Sequence, residues 1–286
     1  MVSPTELPGS YYLWFYLPFL SLLFIFGFAG NFLIVIIMRQ RQLWRQSFSR
    51  IFVQLAICDS VALCTNLCMF LNVLSILLYN TLLIKPSTRI QCVFFEYNAM
   101  CAFTISPWTL VLIATERMCV VCFPFRGPRF WTPTTATGLC LSVACLVASI
   151  YSYLFVTVDF ADDVGCTSDE QRPMMRTMLI SVVPFCFLVT LSSATSVTLF
   201  RNRGEETHAS KYSKQVTVMV LSLCAFFMIT TFPASIVGPF SWNDSRLKYI
   251  FSAFTDILML NYSANLYIYL MSGKKIRNLL RKLLCN

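Results

Sequence analysis

Long uncharged runs, each closed by charged residues, recur seven times along this chain. The first runs from Leu7 to Met38, 32 residues without a charge, and stops at Arg39. The second, Ile51 to Ile84, carries a single charge, Asp59. The third, Tyr97 to Thr115, is closed by Glu116-Arg117-Met118. The fourth lies between Arg129 and Asp159, and the fifth, Thr177 to Phe200, contains Pro184. The sixth, Gln215 to Asn243, contains Pro233 and Pro239, and the seventh, about Tyr249 to Met271, contains Asp256. A helix of about 20 apolar residues crosses a bilayer, so the pattern predicts an all-α protein, a seven-transmembrane helix bundle.

The third run sets the scale. Cys92 and Arg117 stand 25 residues apart. At ~1.5 Å per residue a helix joining them is about 37 Å long, a hydrocarbon core plus some headgroup. One helix thus carries a thiol at one membrane face and an acid–base pair at the other.

Charge orients the bundle. Arg39, Arg41, Arg45 and Arg50, then Arg117, Arg126 and Arg129, then Arg201, Arg203, Lys211 and Lys214, and finally Lys274, Lys275, Arg277, Arg281 and Lys282 share one side. The positive-inside rule makes that side cytoplasmic. The expected organisation is an extracellular N-terminus (1–10), a seven-span domain (11–272) and a cytoplasmic tail (273–286) of a multi-pass plasma-membrane protein. In the tail, Ile276, Leu279, Leu280, Leu283 and Leu284 recur at helical spacing between basic residues. That is a short amphipathic helix lying against membrane lipid after span seven. Cys285 beside it is a palmitoylation candidate, with an unmodified terminal cysteine the plain alternative.

Composition agrees with the pattern. The chain of 286 residues is 57% hydrophobic and 12% charged, with mean hydropathy +0.68, whereas a soluble domain is about 25% charged. The formal net charge of +9 reads as an orientation signal, not a nucleic-acid patch. The first apolar run is too long for a signal-peptide core. Of 13 cysteines, ten lie in or beside apolar runs, where Cys behaves as a small hydrophobe. Cys92 and Cys166 both fall on the oxidising outer side, which favours a disulfide between them. No pair of CxxC motifs offers a zinc site.

Polar residues inside the runs are the candidate chemistry. A carboxylate within a membrane span is costly and usually has a function. Asp59 has Asn31, Ser106, Asn261 and Asn265 at similar depth. Two readings stand: a polar knot that locks helices, or a cation- or proton-linked switch. Glu116-Arg117 reads either as a surface ion pair worth ~0–1 kcal/mol or as part of a coupling site. Pro184 and Pro233 kink their spans. Asn261 and Asn265 share a helix face. Asn243-Asp244-Ser245 is a glycosylation sequon in a very short loop, where its use is not expected.

Taken together, these residues resemble the rhodopsin-like G-protein-coupled receptors over about residues 12–284. The matching positions are Gly30-Asn31, Leu55-Ala56 with Asp59, Cys92 with Glu116-Arg117, Pro184, Pro233, and Asn265 with Tyr269. The stretch from Asn261 to Arg277 looks most like FMRFamide-type peptide receptors and invertebrate chemosensory receptors. The resemblance implies a receptor, not an enzyme, that senses an extracellular neuropeptide or chemosensory cue and activates a heterotrimeric G protein. It implies that Arg117 is held by Glu116 at rest and meets the G-protein α-subunit when freed. Tyr269 swings inward as span six moves about Pro233. Asp59, Ser106, Asn261 and Asn265 match a sodium site, and Cys92 and Cys166 the outer disulfide. The sequence departs from the family at Met118, Ser192, Thr231 and Leu266, which stand where a Tyr, a Tyr, a Trp and a Pro are usual.

The resemblance also narrows the ligand. The Asp of amine receptors is Ala99 here, and no Lys for retinal lies between Tyr249 and Met271. Asp159, Asp162, Asp163, Asp169 and Glu170, with Glu96 and Asp256, suit a basic peptide, and a small odorant is the alternative. Glu96, Ala99, Met100, Phe103 and Asp256 are the candidate ligand contacts. Two other classes compete. An intramembrane hydrolase needs several histidines or two deep carboxylates, and this chain offers His208 in a loop and Asp59 alone at depth. A transporter or channel needs inverted repeats or paired charges along a pore, and neither is visible.

Overall fold

The computed structural model describes residues 17–81, 83–84, 86–161, 165–168, 173–201, 208–237 and 245–284. Its long helices are α1 (Leu17–Met38), α2 (Ser47–Tyr79), α3 (Arg89–Cys122), α4 (Pro133–Ile150), α5 (Val183–Arg201), α6 (His208–Val237), α7 (Ser245–Ser263), α8 (Asn265–Ser272) and α9 (Lys274–Leu284). Among the described residues, six helical segments are long and apolar enough to cross a membrane. The seventh crossing is built in two pieces, α7 and α8, broken at Ala264. Asp256 and Asn261 lower its hydropathy. The result is the seven-helix bundle expected from the runs.

Local chemistry sets the helix ends. Thr88 caps α3, its side chain accepting from the Gln91 N–H. Thr132 caps α4 by accepting from Thr135, with Pro133 at the first helical position, where its missing N–H costs nothing. α2 ends at Asn80, whose φ of 54° is left-handed, a conformation Asn tolerates. Span two therefore stops at Tyr79, short of the expected Ile84. Span six differs the other way. His208, expected in a loop, opens α6, because helical backbone continues past the apolar run into polar surroundings.

Span five starts irregularly. A five-residue π-helical turn, Met178–Val182, precedes α5 and its Pro184. Trp108 on α3 donates its indole N–H to the Leu179 carbonyl within this turn at 3.0 Å. α3 also holds Pro107 in its interior. The described residues also hold a hairpin: β1 (Val158–Ala161) pairs antiparallel with β2 (Gly165–Ser168), setting Phe160 opposite Cys166. This hairpin occupies the loop between spans four and five.

Packing is dense toward the Arg117 end of α3. There Ile51, Phe52, Leu110, Ile113, Met219, Leu223 and Tyr269 form one buried cluster. A second cluster around Cys92, Met100, Val147, Tyr151 and Leu154 fills the Cys92 end. At the crossing of α1, α2 and α7, a Cβ on Gly27 would stand 2.7 Å from Leu63 and 2.8 Å from Ser263. Only glycine allows that approach, a usual device between helices in lipid. Phe19, Leu22, Ile25, Phe26 and Phe32 of α1 face outward, as a lipid-facing surface requires.

Candidate functional site

The candidate residues gather at three levels along α3. At the disulfide end, Cys92 bonds Cys166 of β2, with the Cα atoms 5.5 Å apart. Arg89 braces the hairpin and the helical turn that leads into it. Arg89 donates to the Phe155 carbonyl at 2.7 Å and the Val158 carbonyl at 3.0 Å, and pairs with Asp159 at 3.7 Å. Arg176, just before α5, pairs with Glu96 at 2.5 Å. Of the acids that suggested a basic ligand, Glu96 is ion-paired and 24% exposed, whereas Asp159, 75% exposed, stays open to solvent beside Arg89. Asp256 is half-buried and partnered. Asp162, Asp163, Asp169 and Glu170 lie outside the described residues.

The other ligand candidates divide. Phe103 stacks obliquely on Tyr262 of α7, with ring centres 5.9 Å apart, and faces the bundle interior. Ala99 and Met100 are buried in the cluster with Val147 and Tyr151. They serve the packing of α3 on α4. Thr104 and Tyr151 share a hydrogen bond of 2.9 Å in the same contact.

At mid-depth, Asp59 is fully buried. Ser106 donates to its Oδ1 and Asn265 to its Oδ2, each at 2.5 Å. The carboxylate thus ties α2 to α3 and α8. Asn261 does not join it. Its side chain turns to α6, accepting from Thr230 at 2.8 Å and donating to Thr231 at 3.3 Å. Asn31 donates to the Tyr262 carbonyl at 2.9 Å. For a hard monovalent cation, Asp59 and Ser106 present oxygen donors suited to it, whereas Asn265 presents its N–H.

At the end of α3 opposite the disulfide, Glu116 and Arg117 form no surface ion pair. Glu116 is 0% and Arg117 6% exposed. Arg117 reaches Glu116 through Nε at 3.1 Å and through a terminal nitrogen at 2.8 Å. Ser47, the first residue of α2, donates its hydroxyl to Glu116 Oε1. The Arg117 guanidinium lies over the Phe48 ring, 5.3 Å from its centre. Breaking such a pair costs far more than an exposed one, because it strands a buried charge. Tyr269 is 1% exposed nearby, its ring 4.9 Å from Phe52. Pro233 lies within α6, which continues through it. Cys285 lies outside the described residues.

Sequence reasoning named Glu116, Arg117, Asp59 and Asn261 but missed Ser47 as the partner of Glu116 and Thr230 as the partner of Asn261. Thr231 was visible as a departure, and its link to Asn261 depends on tertiary packing.

Comparison with known proteins agrees with this geometry. The family model "7 transmembrane receptor (rhodopsin family)" matches residues 30–269. The chain is 24% identical to the rhodopsin of Galeus melastomus, covering 99% of this chain and 85% of that protein. It is 25% identical to the neuropeptide Y receptor type 1 of Xenopus laevis, covering 78% and 66%. It is also 25% identical to the rhodopsin of Sminthopsis crassicaudata, covering 99% and 86%. A buried acid–arginine lock, a polar knot at mid-depth and a disulfide-tied hairpin lie along one long helix, and the match runs through all seven crossings: this chain belongs to the rhodopsin family of seven-transmembrane receptors.

Proposed function

We propose that this receptor sits in the plasma membrane with its N-terminus outside and its tail inside. It senses an extracellular ligand, a neuropeptide or a small chemosensory molecule, and activates a heterotrimeric G protein. The observation that carries the reading is the Glu116–Arg117 lock. A charged pair is buried at the end of α3 opposite the disulfide and gripped from α2 by Ser47. Ligand contacts at the disulfide end shift a two-state bundle, and the shift frees Arg117 for the transducer. The basic inner loops and the likeness to a neuropeptide receptor support the orientation and the ligand class. The residues between Tyr249 and Met271 hold no Lys for retinal, so the likeness to rhodopsins is taken as one of fold. Around Asp59 and Ser106 a sodium ion is the cation of choice, and it favours the resting arrangement.

The test is a cell assay. Amidated peptides and volatiles are screened for calcium or cAMP responses, beside Arg117→Ala at matched surface expression. A response that the variant abolishes supports the reading. Ligand responses that survive Arg117→Ala undiminished overturn it.

A further inference from the structure

The last turn of α3 carries two thiols. Cys119 and Cys122 stand three residues apart, just beyond Arg117, and Cys122 is the final helical residue. Both are free and half-buried. The other free cysteines among the described residues lie deeper in their spans. After Cys122 the chain leaves the helix, and Phe123, Pro124, Phe125 and Arg126 are exposed. The thiol pair therefore sits where α3 meets water.

Neighbours hold this turn on several sides. Cys122 Sγ lies 3.3 Å from Thr198 Oγ1 of α5. Cys119 packs against the buried cluster that includes Tyr269. Its carbonyl accepts from the Phe123 N–H at 3.0 Å. The one-turn helix Gly127–Phe130 rests directly on the same backbone. A Cβ on Gly127 would collide with the Cys119 carbonyl and stand 3.0 Å from the Val120 Cα, so the two backbones meet with no side chain between them.

Spacing supplies the chemistry. Residues three apart on an α-helix have Cβ atoms ~5–6 Å apart, and a disulfide needs them about 3.8 Å apart. A helix interior resists that change. A terminal turn does not, because it readily tightens to a 3₁₀ turn, in which side chains three apart eclipse. We propose that Cys119 and Cys122 are a reversible dithiol switch, bridged by hydrogen peroxide, that resets the loop between spans three and four. One thiolate attacks a peroxide oxygen and breaks the O–O bond; water leaves, and the sulfur remains as a sulfenic acid. The second thiol displaces that oxygen as another water, and the S–S bond forms. The two thiols give up two electrons and two protons, and the peroxide takes both into two waters. A disulfide in a reducing compartment is usually transient and redox-sensing, and glutathione reverses this one.

The reach of the switch follows from the neighbours. Bridging draws the Cys122 thiol away from Thr198 and shifts the Cys119 carbonyl on which Gly127 rests. The Gly127–Phe130 helix must then move, and with it Phe125, which is 93% exposed. Arg117 lies in the adjoining turn of α3. Oxidation therefore disturbs the face that the proposed function gives to the G protein. That consequence rests on the proposed function; the bridge and the loop movement do not.

The test uses full-length receptor in detergent, treated with dilute hydrogen peroxide, alkylated and digested with trypsin. Trypsin cuts after Arg117 and Arg126, so both sulfurs fall in one peptide, Met118–Arg126. That peptide is expected to be unalkylated and two hydrogens lighter than its reduced form, and reduced glutathione added before alkylation is expected to restore it. A peptide alkylated at both sulfurs, or one that gains oxygen instead, overturns the pair. Brief trypsin treatment of the folded receptor reads the loop, where Arg126 and Arg129 are exposed. Cutting there is expected to become about threefold faster or more after bridging. Cys122→Ser cannot bridge and keeps a hydroxyl for Thr198; its cutting rate is expected to be the same with and without peroxide. Bridging that leaves the parent's cutting rate unchanged overturns the loop movement, and equal acceleration in Cys122→Ser overturns the assignment to this pair. A bridge that moves the loop in a receptor whose signalling ignores Arg117→Ala leaves the switch standing and sinks only the coupling reading.

Discussion

Thr230 donates its hydroxyl to Asn261 Oδ1 at 2.8 Å and so ties α6 to α7 at mid-membrane. Thr231, beside it, accepts from the Asn261 amide at 3.3 Å. A tryptophan at Thr231 would move by rotating a ring. This chain instead holds the same place with a polar clamp one helical turn from Asp59's partner Asn265. Because Pro233 follows within the same turn of α6, the clamp sits at the point about which that helix would swing.

Thr230→Val keeps the shape of the side chain and removes the donor. The half-buried Asn261 amide oxygen then loses that donor, a net loss of about 0.5–1.5 kcal/mol. The expected outcome is a lower thermal midpoint in purified receptor together with raised ligand-independent G-protein activation. Unchanged stability and unchanged basal signal would show that the clamp does not hold α6.

Ser47 offers a gentler probe of the lock than Arg117 itself. Ser47→Ala removes one donor from the fully buried Glu116 carboxylate and leaves the ion pair in place. A hydrogen bond to a charged group contributes about 1.5–3 kcal/mol. With the acid less well satisfied, the locked state is weakened relative to one in which Arg117 is released. Basal signalling is expected to rise severalfold at matched surface expression, while Arg117→Ala added to it returns signalling to zero. A Ser47→Ala receptor that is silent without ligand, and as stable as the parent, would falsify the assignment of Ser47 to the lock.

The crossings were legible in the sequence because lipid leaves a helix little choice. Every backbone group must be satisfied within the span, so an uncharged run of sufficient length is itself the signal. Helix ends were less legible. Asn80 stops α2 through a left-handed turn and α6 begins at His208, outside its apolar run, and neither depends on hydropathy. For the site, adjacent residues such as Glu116 and Arg117 were found together, but the donor that satisfies Glu116, Ser47, lies 69 residues away in sequence. Asn261 reads as part of the Asp59 cluster from its similar depth and from the family resemblance. The break at Ala264 separates the two residues onto α7 and α8, and Asn261 turns to α6. Glu96 read as open charge because its partner Arg176, 80 residues away on the turn before α5, is invisible in a linear count.

Asp59→Asn tests the cation. The buried carboxylate is bonded by Ser106 and Asn265, and the amide that replaces it has no charge to hold a sodium ion. In purified receptor the parent is expected to melt at a higher temperature in sodium chloride than in choline chloride at equal ionic strength. Asp59→Asn is expected to melt alike in both. A parent indifferent to sodium would remove the cation from the mechanism and leave Asp59 as a structural tie between α2, α3 and α8.

Glu96 and Arg176 join α3 to the start of span five across the mouth of the bundle, at 2.5 Å and with side chains 24% and 32% exposed. A pair this wet contributes ~0.5–1 kcal/mol, so its loss alone does not unfold the receptor. Its two roles separate in a charge swap. Glu96→Arg destroys the pair and sets two cations against each other. Glu96→Arg with Arg176→Glu restores an opposite-charge pair in reversed order. If the pair only ties the helices, the swapped receptor regains the surface expression and the ligand response of the parent. If Glu96 touches the ligand, the swap restores expression, while the concentration for half-maximal response stays about tenfold or more above the parent, the loss of ~1.4 kcal/mol of binding. We expect the second outcome, because partial exposure at the bundle mouth keeps the pair within reach of a ligand. Full recovery of potency in the swapped receptor removes Glu96 from the ligand contacts and leaves Phe103, against Tyr262, as the contact on α3.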